Sequence, residues 1–211
     1  MGKEDQSRGQ RIVHSYVDIK SWLTRIPSAN EVRPARCPGC GAAGRPEGAA
    51  LGLWGHGLRE RQIRGPLGFD EEPQTVLIQA RRYQCQRCSA VLLVVPRGVL
   101  PARYYSGGAI ALAMALYGVV TQTSAQVRHK VSSWSIVGAA AIDGWATLRR
   151  WVQAMQEGRL FVDVRPAPAN WTTRQICERA AMTLASLGPP TMRGHPVTER
   201  AFAGGAHSSR Q

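Results

Sequence analysis

The sequence predicts an α+β fold, with a small antiparallel β unit that contains four cysteines, followed by a compact set of helices. Three observations predict it. Two Cys-x-x-Cys pairs lie in a region dense in glycine, proline and arginine. The apolar segments of that region are short and rich in β-branched residues, which is typical of strands. From Ser106 onward the apolar residues instead recur at helical spacing.

The composition points to a polyanionic partner. The 211 residues include 27 basic and 14 acidic side chains, for a net charge of +13, and 24 of the basic residues are arginine. The planar guanidinium fork suits phosphates and guanine edges, so nucleic acid is the expected partner. An arginine-, alanine- and glycine-rich composition is also typical of a GC-rich genome, which is the alternative explanation of the charge.

The amino-terminal residues are polar and lack the apolar segment of a signal peptide, so we expect a cytoplasmic protein. The longest apolar stretch, Ala109–Val120, has 12 residues. That is fewer than the roughly 18 to 20 needed to cross a bilayer, so it predicts a buried helix. Cysteines in such a chain favour metal binding or isolated core thiols over a disulfide framework.

The first part of the chain divides into a disordered tail over 1–11 and, over 12–103, an amino-terminal segment with the β unit. The stretch Ile12–Arg36 fits a strand or a helix equally well. Strands are predicted in "TVLIQARRYQ" and "AVLLVVP", and a third is suggested by "LRERQIRG".

The helical part is predicted over 104–160. Ser106 is a candidate N-cap for the first helix, and Thr123 or Ser124 starts the second. The third helix is expected between Asp143, as N-cap, and Gly158. A connector and a carboxyl-terminal helix capped by Thr172 or Thr173 follow over 161–190, and residues 191–211 are expected to be poorly ordered.

The cysteine pairs have the spacing of a structural zinc site. One pair lies in "CPGCG" and the other in "CQRCS", with 44 residues between them. Two residues between cysteines let both sulfurs of a tight turn reach one tetrahedral Zn²⁺, so we expect one structural zinc in a four-cysteine ribbon. Two unrelated pairs and a redox motif are the alternatives. The predicted zinc ligands are Cys37, Cys40, Cys85 and Cys88.

The third predicted helix has a polar face suited to DNA. Helical spacing puts Trp145, Leu148, Val152 and Met155 on one face, with polar side chains opposite. Thr, Arg and Gln can reach base edges and phosphates, as a recognition helix requires, although an ordinary solvated helix face has the same composition. The candidate DNA contacts are Thr147, Arg149, Arg150, Gln153, Arg128, Lys130, Arg81, Arg82 and Arg87.

The order "CPGCG", a basic β-rich insert, "RRYQCQRC", a strand ending in "VP" and then "GWATLRRW" resembles the zinc ribbon and helix-turn-helix of bacterial insertion-sequence transposases, and short transposase-associated proteins. The resemblance covers residues 37–158. It implies that the four cysteines bind zinc and that Thr147, Arg149 and Arg150 contact DNA. Its implied partners are double-stranded DNA and a transposase or a second copy of the chain. The segment "SSWSIVGAAAID" between the second and third helices is longer than a tight helix-turn-helix allows.

Catalysis is not expected. Full transposases of that kind resemble a longer design in which three carboxylates bind two metal ions, and such a site needs acidic residues at strand ends. After the helices this chain offers only Asp163, Glu178 and Glu199, without a series of strands. Three hypotheses remain: a DNA-binding regulator or targeting module of a mobile element, a remnant or accessory transposase subunit, and a zinc-ribbon module that binds protein.

Overall fold

A computed structural model of the chain describes residues 11–134 and 145–208. Within these ranges the fold is α+β, with a four-stranded mixed sheet, six α-helices and one short 3₁₀ helix. The chain forms two compact units. Unit 1 comprises Met1–Arg61 and Leu77–Arg97, and unit 2 comprises Gln62–Val76 and Gly98–Gln211.

The sheet has the strand order β1-β4-β3-β2. Its strands are β1 (Arg11–Asp18), β2 (Leu53–Gly65), β3 (Gln74–Cys85) and β4 (Val91–Arg97). The last residues of β2 and the first residues of β3 belong to unit 2. β4 pairs antiparallel with β3 and parallel with β1. The three strands predicted from sequence are confirmed, but the prediction of a purely antiparallel unit is wrong, because β1 joins the sheet parallel to β4.

The stretch that fitted strand or helix contains both: β1 is followed directly by α1 (Ile19–Thr24). Asp18 ends the strand and caps the helix, because its carboxylate accepts a hydrogen bond from the backbone N–H of Ser21 at 2.9 Å. The Trp22 ring is buried, and its Nε1–H donates to the carbonyl of Gln79 on β3 at 3.0 Å. α1 is thereby fixed to the sheet of unit 1.

Unit 2 is helical. Its helices are α2 (Gly107–Gly118), α3 (Ser124–Val131), α4 (Ala146–Gln156), α5 (Thr173–Ser186) and α6 (Val197–His207), with a 3₁₀ turn at Pro190–Met192. The predicted caps Ser106, Thr123 and Thr172 are confirmed, since each side chain accepts a backbone N–H at the start of its helix. α4 begins at Ala146 with Trp145 at its N-cap position, and Asp143 lies outside the described residues.

α2 is the centre of this unit and packs against α3, α5 and α6. Close packing against α5 requires Gly118, because a Cβ there would lie 2.2 Å from the backbone nitrogen of Glu178. No helix among the described residues is both long enough and apolar enough to cross a bilayer.

The prediction of poor order over 191–211 is wrong for residues 197–207, which form α6. This helix packs on α2 and α5, and its Ala201 is buried. Its small residues are typical of a linker, yet they let the backbone of α6 approach that of α2 closely. A Cβ on Gly205 would lie 2.5 Å from the carbonyl oxygen of Gly107. Residues 62–76 and residues 161–190 both lie in unit 2.

Candidate functional site

The four predicted zinc ligands meet in unit 1. All four sulfur atoms lie within 4.8 Å of one another, with 3.7 Å between Cys37 and Cys88 and 3.6 Å between Cys40 and Cys85. A tetrahedral ion with bonds of about 2.3 Å to sulfur requires sulfur–sulfur edges of about 3.8 Å. These separations also exceed a disulfide bond, and all four thiols are free. The cluster could hold one metal ion.

The two cysteine turns have the same backbone geometry. In the first, the N–H of Cys37 donates to the carbonyl oxygen of Ala42 at 2.8 Å, and the N–H of Gly41 donates to the carbonyl oxygen of Cys37 at 2.9 Å. In the second, the N–H of Cys85 donates to the carbonyl oxygen of Ala90 at 3.0 Å, and the N–H of Ser89 donates to the carbonyl oxygen of Cys85 at 2.9 Å. The residue after each second cysteine has positive φ, at 71° for Gly41 and 58° for Ser89. Two copies of one turn therefore present the four sulfurs.

Arginines lie around the first turn, which contributes Cys37 and Cys40. Arg11, on β1, donates to the carbonyl of Pro38 at 2.6 Å, and Arg36 donates to that of Gly41 at 3.2 Å. Their positive charges partly offset the charge of about −2 that four thiolates and a divalent cation carry. Sequence reasoning missed Arg11, which lies 26 residues before Cys37 in the chain.

The thiols of the second turn differ in acidity. For Cys85, burial opposes ionisation, but the backbone N–H groups of Cys88 and Arg87 lower the pKa to about 7. For Cys88, the N–H of Ala90 favours the thiolate, yet burial and the three neighbouring sulfurs raise the pKa to about 12. Four thiols this close cannot all ionise without a compensating cation, which is the electrostatic reason that such a cluster favours a metal.

A second candidate site, the arginine groove, lies within unit 2 and has a cavity volume of about 460 Å³. One wall is α4, and the other is the segment 102–105 with the end of β2. No carboxylate is among the groove's described lining residues. Its polar and aromatic lining residues are Arg64, Arg103, Arg150, Arg159, Thr147, Gln153, Tyr104, Tyr105 and Trp151.

Three aromatic rings fix the α4 wall: Trp145 and Trp151 are buried, and Tyr105 is partly buried. Trp145 and Trp151 lie 5.0 Å apart edge to face, and Tyr105 contacts Trp151 at 5.1 Å between ring centroids. The Tyr105 hydroxyl donates to Ser132 at 2.8 Å. With the apolar side of α4 held in this way, Arg150 is exposed on the opposite side. The predicted division of the helix into a buried and an exposed face is confirmed.

The opposite wall is built by backbone hydrogen bonds between the end of β2 and the segment before α2. The backbone N–H of Arg64 donates to the carbonyl oxygen of Tyr104 at 2.8 Å, and the backbone N–H of Ser106 donates to the carbonyl oxygen of Arg64 at 3.2 Å. The Arg64 guanidinium lies over two rings, 4.7 Å from the centroid of Tyr104 and 4.6 Å from that of Trp134. These cation–π contacts hold the side chain in place.

Comparison with family models, with curated protein sequences and with solved structures finds no match for this chain.

Of the predicted DNA contacts, the groove brings together Thr147, Arg150 and Gln153. Arg149 is exposed on α4 but does not line the groove, and Arg128 and Lys130 lie on α3, where Lys130 is exposed. In unit 1, Arg87 is exposed and Arg82 is half-buried. Arg81 has a structural contact, since its Nε–H donates to the carbonyl of Pro27 at 2.7 Å.

Sequence reasoning missed Arg64, Arg103, Arg159 and Tyr104. They come from segments that are far apart in the chain, and the signal that could have found them was weak: an Arg-Tyr-Tyr run directly before the N-cap of α2. One of these charges is partly compensated, because Arg159 forms an ion pair with Glu157. The groove nevertheless has a strong excess of positive charge.

Proposed function

We propose that the protein is a zinc-stabilised DNA-binding protein, in which unit 1 is a four-cysteine zinc ribbon and unit 2 a helix-turn-helix-like domain that contacts DNA. One observation carries the proposal: the groove beside α4 is lined by four arginines and, among the described residues, by no carboxylate. Such a surface attracts phosphates, and α4 adds Thr147 and Gln153, whose side chains can bond to bases.

The chemistry of the donor set supports zinc. Four thiolates are soft ligands that favour Zn²⁺ over Mg²⁺ or Ca²⁺, and the sulfur–sulfur distances of 3.6 and 3.7 Å fit a tetrahedral ion. With four protein ligands there is no open position for a substrate or water, so the zinc would be structural. It would connect the turn at Cys37 to the one at Cys85 and thereby stabilise unit 1.

Arginine predominance supports nucleic acid as the partner. Guanidinium groups bind phosphate and guanine through paired hydrogen bonds that lysine cannot reproduce. The biological role, as regulator or targeting module of a mobile element, rests on the resemblance of "CPGCG", "RRYQCQRC" and "GWATLRRW" to transposase segments. A transposase or a second copy of the chain is the corresponding protein partner.

Fluorescence anisotropy of labelled DNA tests the proposal, with zinc-loaded protein and with the same sequence in duplex and single-stranded form. We expect binding that withstands excess polyglutamate, which carries carboxylates but no phosphates or bases. Replacing both Arg64 and Arg150 by Ala should weaken it strongly. The matched control is Arg25→Ala in unit 1, an exposed arginine paired with Glu31. If neither form of DNA binds, the proposed function is wrong.

A further inference from the structure

The polar side chains of α4 open into a concavity. A helix that reads duplex DNA projects from its domain into a major groove about 12 Å wide. Here Arg150 and Gln153 face a pocket whose other wall includes Arg103 and Tyr104. A double helix cannot enter a cavity of about 460 Å³, whereas pockets of this volume hold small organic groups such as a nucleobase.

Exposed aromatic rings accompany the arginines. Tyr104 is 61% exposed and Trp134 is 54% exposed, and the guanidinium of Arg64 contacts both rings. Single-stranded nucleic acids bind on such surfaces, because every base has an apolar face that stacks on an aromatic ring or a guanidinium plane. A base on the exposed part of Tyr104 would extend the stack that Arg64 already forms.

The charges of the groove complement the backbone of the same ligand. Arg103, Arg150 and Arg159 line the cavity together with Tyr104, so phosphates can contact cations while a base contacts the ring. In a duplex the bases are stacked on one another and unavailable to Tyr104. The combination of stacking ring and arginines therefore favours an unpaired strand.

We propose that the arginine groove binds a single-stranded DNA segment, with its phosphates on the arginines and at least one base stacked on Tyr104. This inference rests on the proposed function and specifies which form of DNA the groove accepts. The discriminating chemistry is the unpaired base, because phosphates are present in every form of DNA.

Three labelled ligands test it, each about 15 nucleotides long, within the span of known single-strand sites. They are a single strand, the duplex of that strand with its complement, and an abasic strand with the same number of phosphates. One stacked base should make the single strand bind about 5- to 150-fold more tightly than the abasic strand. The single strand should also bind more tightly than the duplex.

Tyr104→Leu should remove most of the difference in affinity between the single strand and the abasic strand, whereas Tyr104→Phe should preserve that difference. The control is Tyr16→Leu in unit 1, a tyrosine that is 74% exposed and does not line the groove. Circular-dichroism melting establishes that each variant is folded. Duplex binding at least as tight as single-strand binding, or no effect of Tyr104→Leu, would overturn this inference and leave the proposed function standing. Absence of binding to all three ligands would overturn both.

Discussion

The salt dependence of DNA binding should report how many groove arginines contact phosphate. Arg150→Ala should remove one of these contacts. Each phosphate contact contributes about −0.7 to the slope of log affinity against log salt for a single strand and about −0.9 for a duplex. Four arginines line the groove among the described residues, so four phosphate contacts would give a slope of about −2.8 for a single strand and about −3.6 for a duplex. Raising sodium chloride from about 50 to about 200 mM should then weaken binding by roughly 50- to 150-fold.

Arg150→Ala should reduce the steepness of the slope by about 0.7 to 0.9, which fluorescence anisotropy over that salt range resolves. Arg149→Ala is the matched control, because the neighbouring arginine is exposed on the same helix, has the same charge and does not line the groove. It should leave the slope nearly unchanged. Equal changes in slope for the two variants, or affinity independent of salt, would refute the assignment of the groove as the phosphate-binding surface.

Three further variants test the fold. Cys85→Ser should lower bound zinc well below one per chain by elemental analysis and destabilise unit 1, because structural zinc supplies on the order of 10 kcal/mol, while Cys177→Ala should keep the zinc. Burial raises the pKa of the Cys177 thiol to about 12. The buried neutral thiol should therefore stabilise the fold fully below about pH 9, and this stabilisation should be lost as the pH rises toward 12. The denaturant midpoints of wild type and Cys177→Ala should converge over that pH range. Gly118→Ala would put a methyl group 2.2 Å from Glu178 and should cost about 1–3 kcal/mol by urea unfolding, whereas Gly55→Ala, with its nearest atom at 3.3 Å, should cost less.

Local signals in the sequence predicted local features well. The spacing in "CPGCG" and "CQRCS" predicted sulfurs that converge, because a turn of two residues fixes the direction of both side chains. The caps Thr123 and Thr172 were predictable because the threonine hydroxyl accepts a hydrogen bond from the backbone N–H three residues later, which is a contact within one helical turn.

Features that depend on distant segments were not predictable. The groove needs Arg64, at the end of β2, beside Tyr104 and α4, and nothing in the sequence near any of them specifies that contact. Arg11 reaches the first cysteine turn because its strand pairs with β4, which is likewise a long-range effect. α6 has few large apolar residues, and its order comes from glycine and alanine contacts with α2 and α5.

X-ray absorption at the zinc K-edge, on protein purified without chelators, tests whether the four cysteines hold one zinc. We expect about four sulfur scatterers at about 2.3 Å and no nitrogen or oxygen neighbours in the first coordination sphere. Bound zinc with nitrogen or oxygen ligands, or protein that contains no zinc, would contradict this expectation.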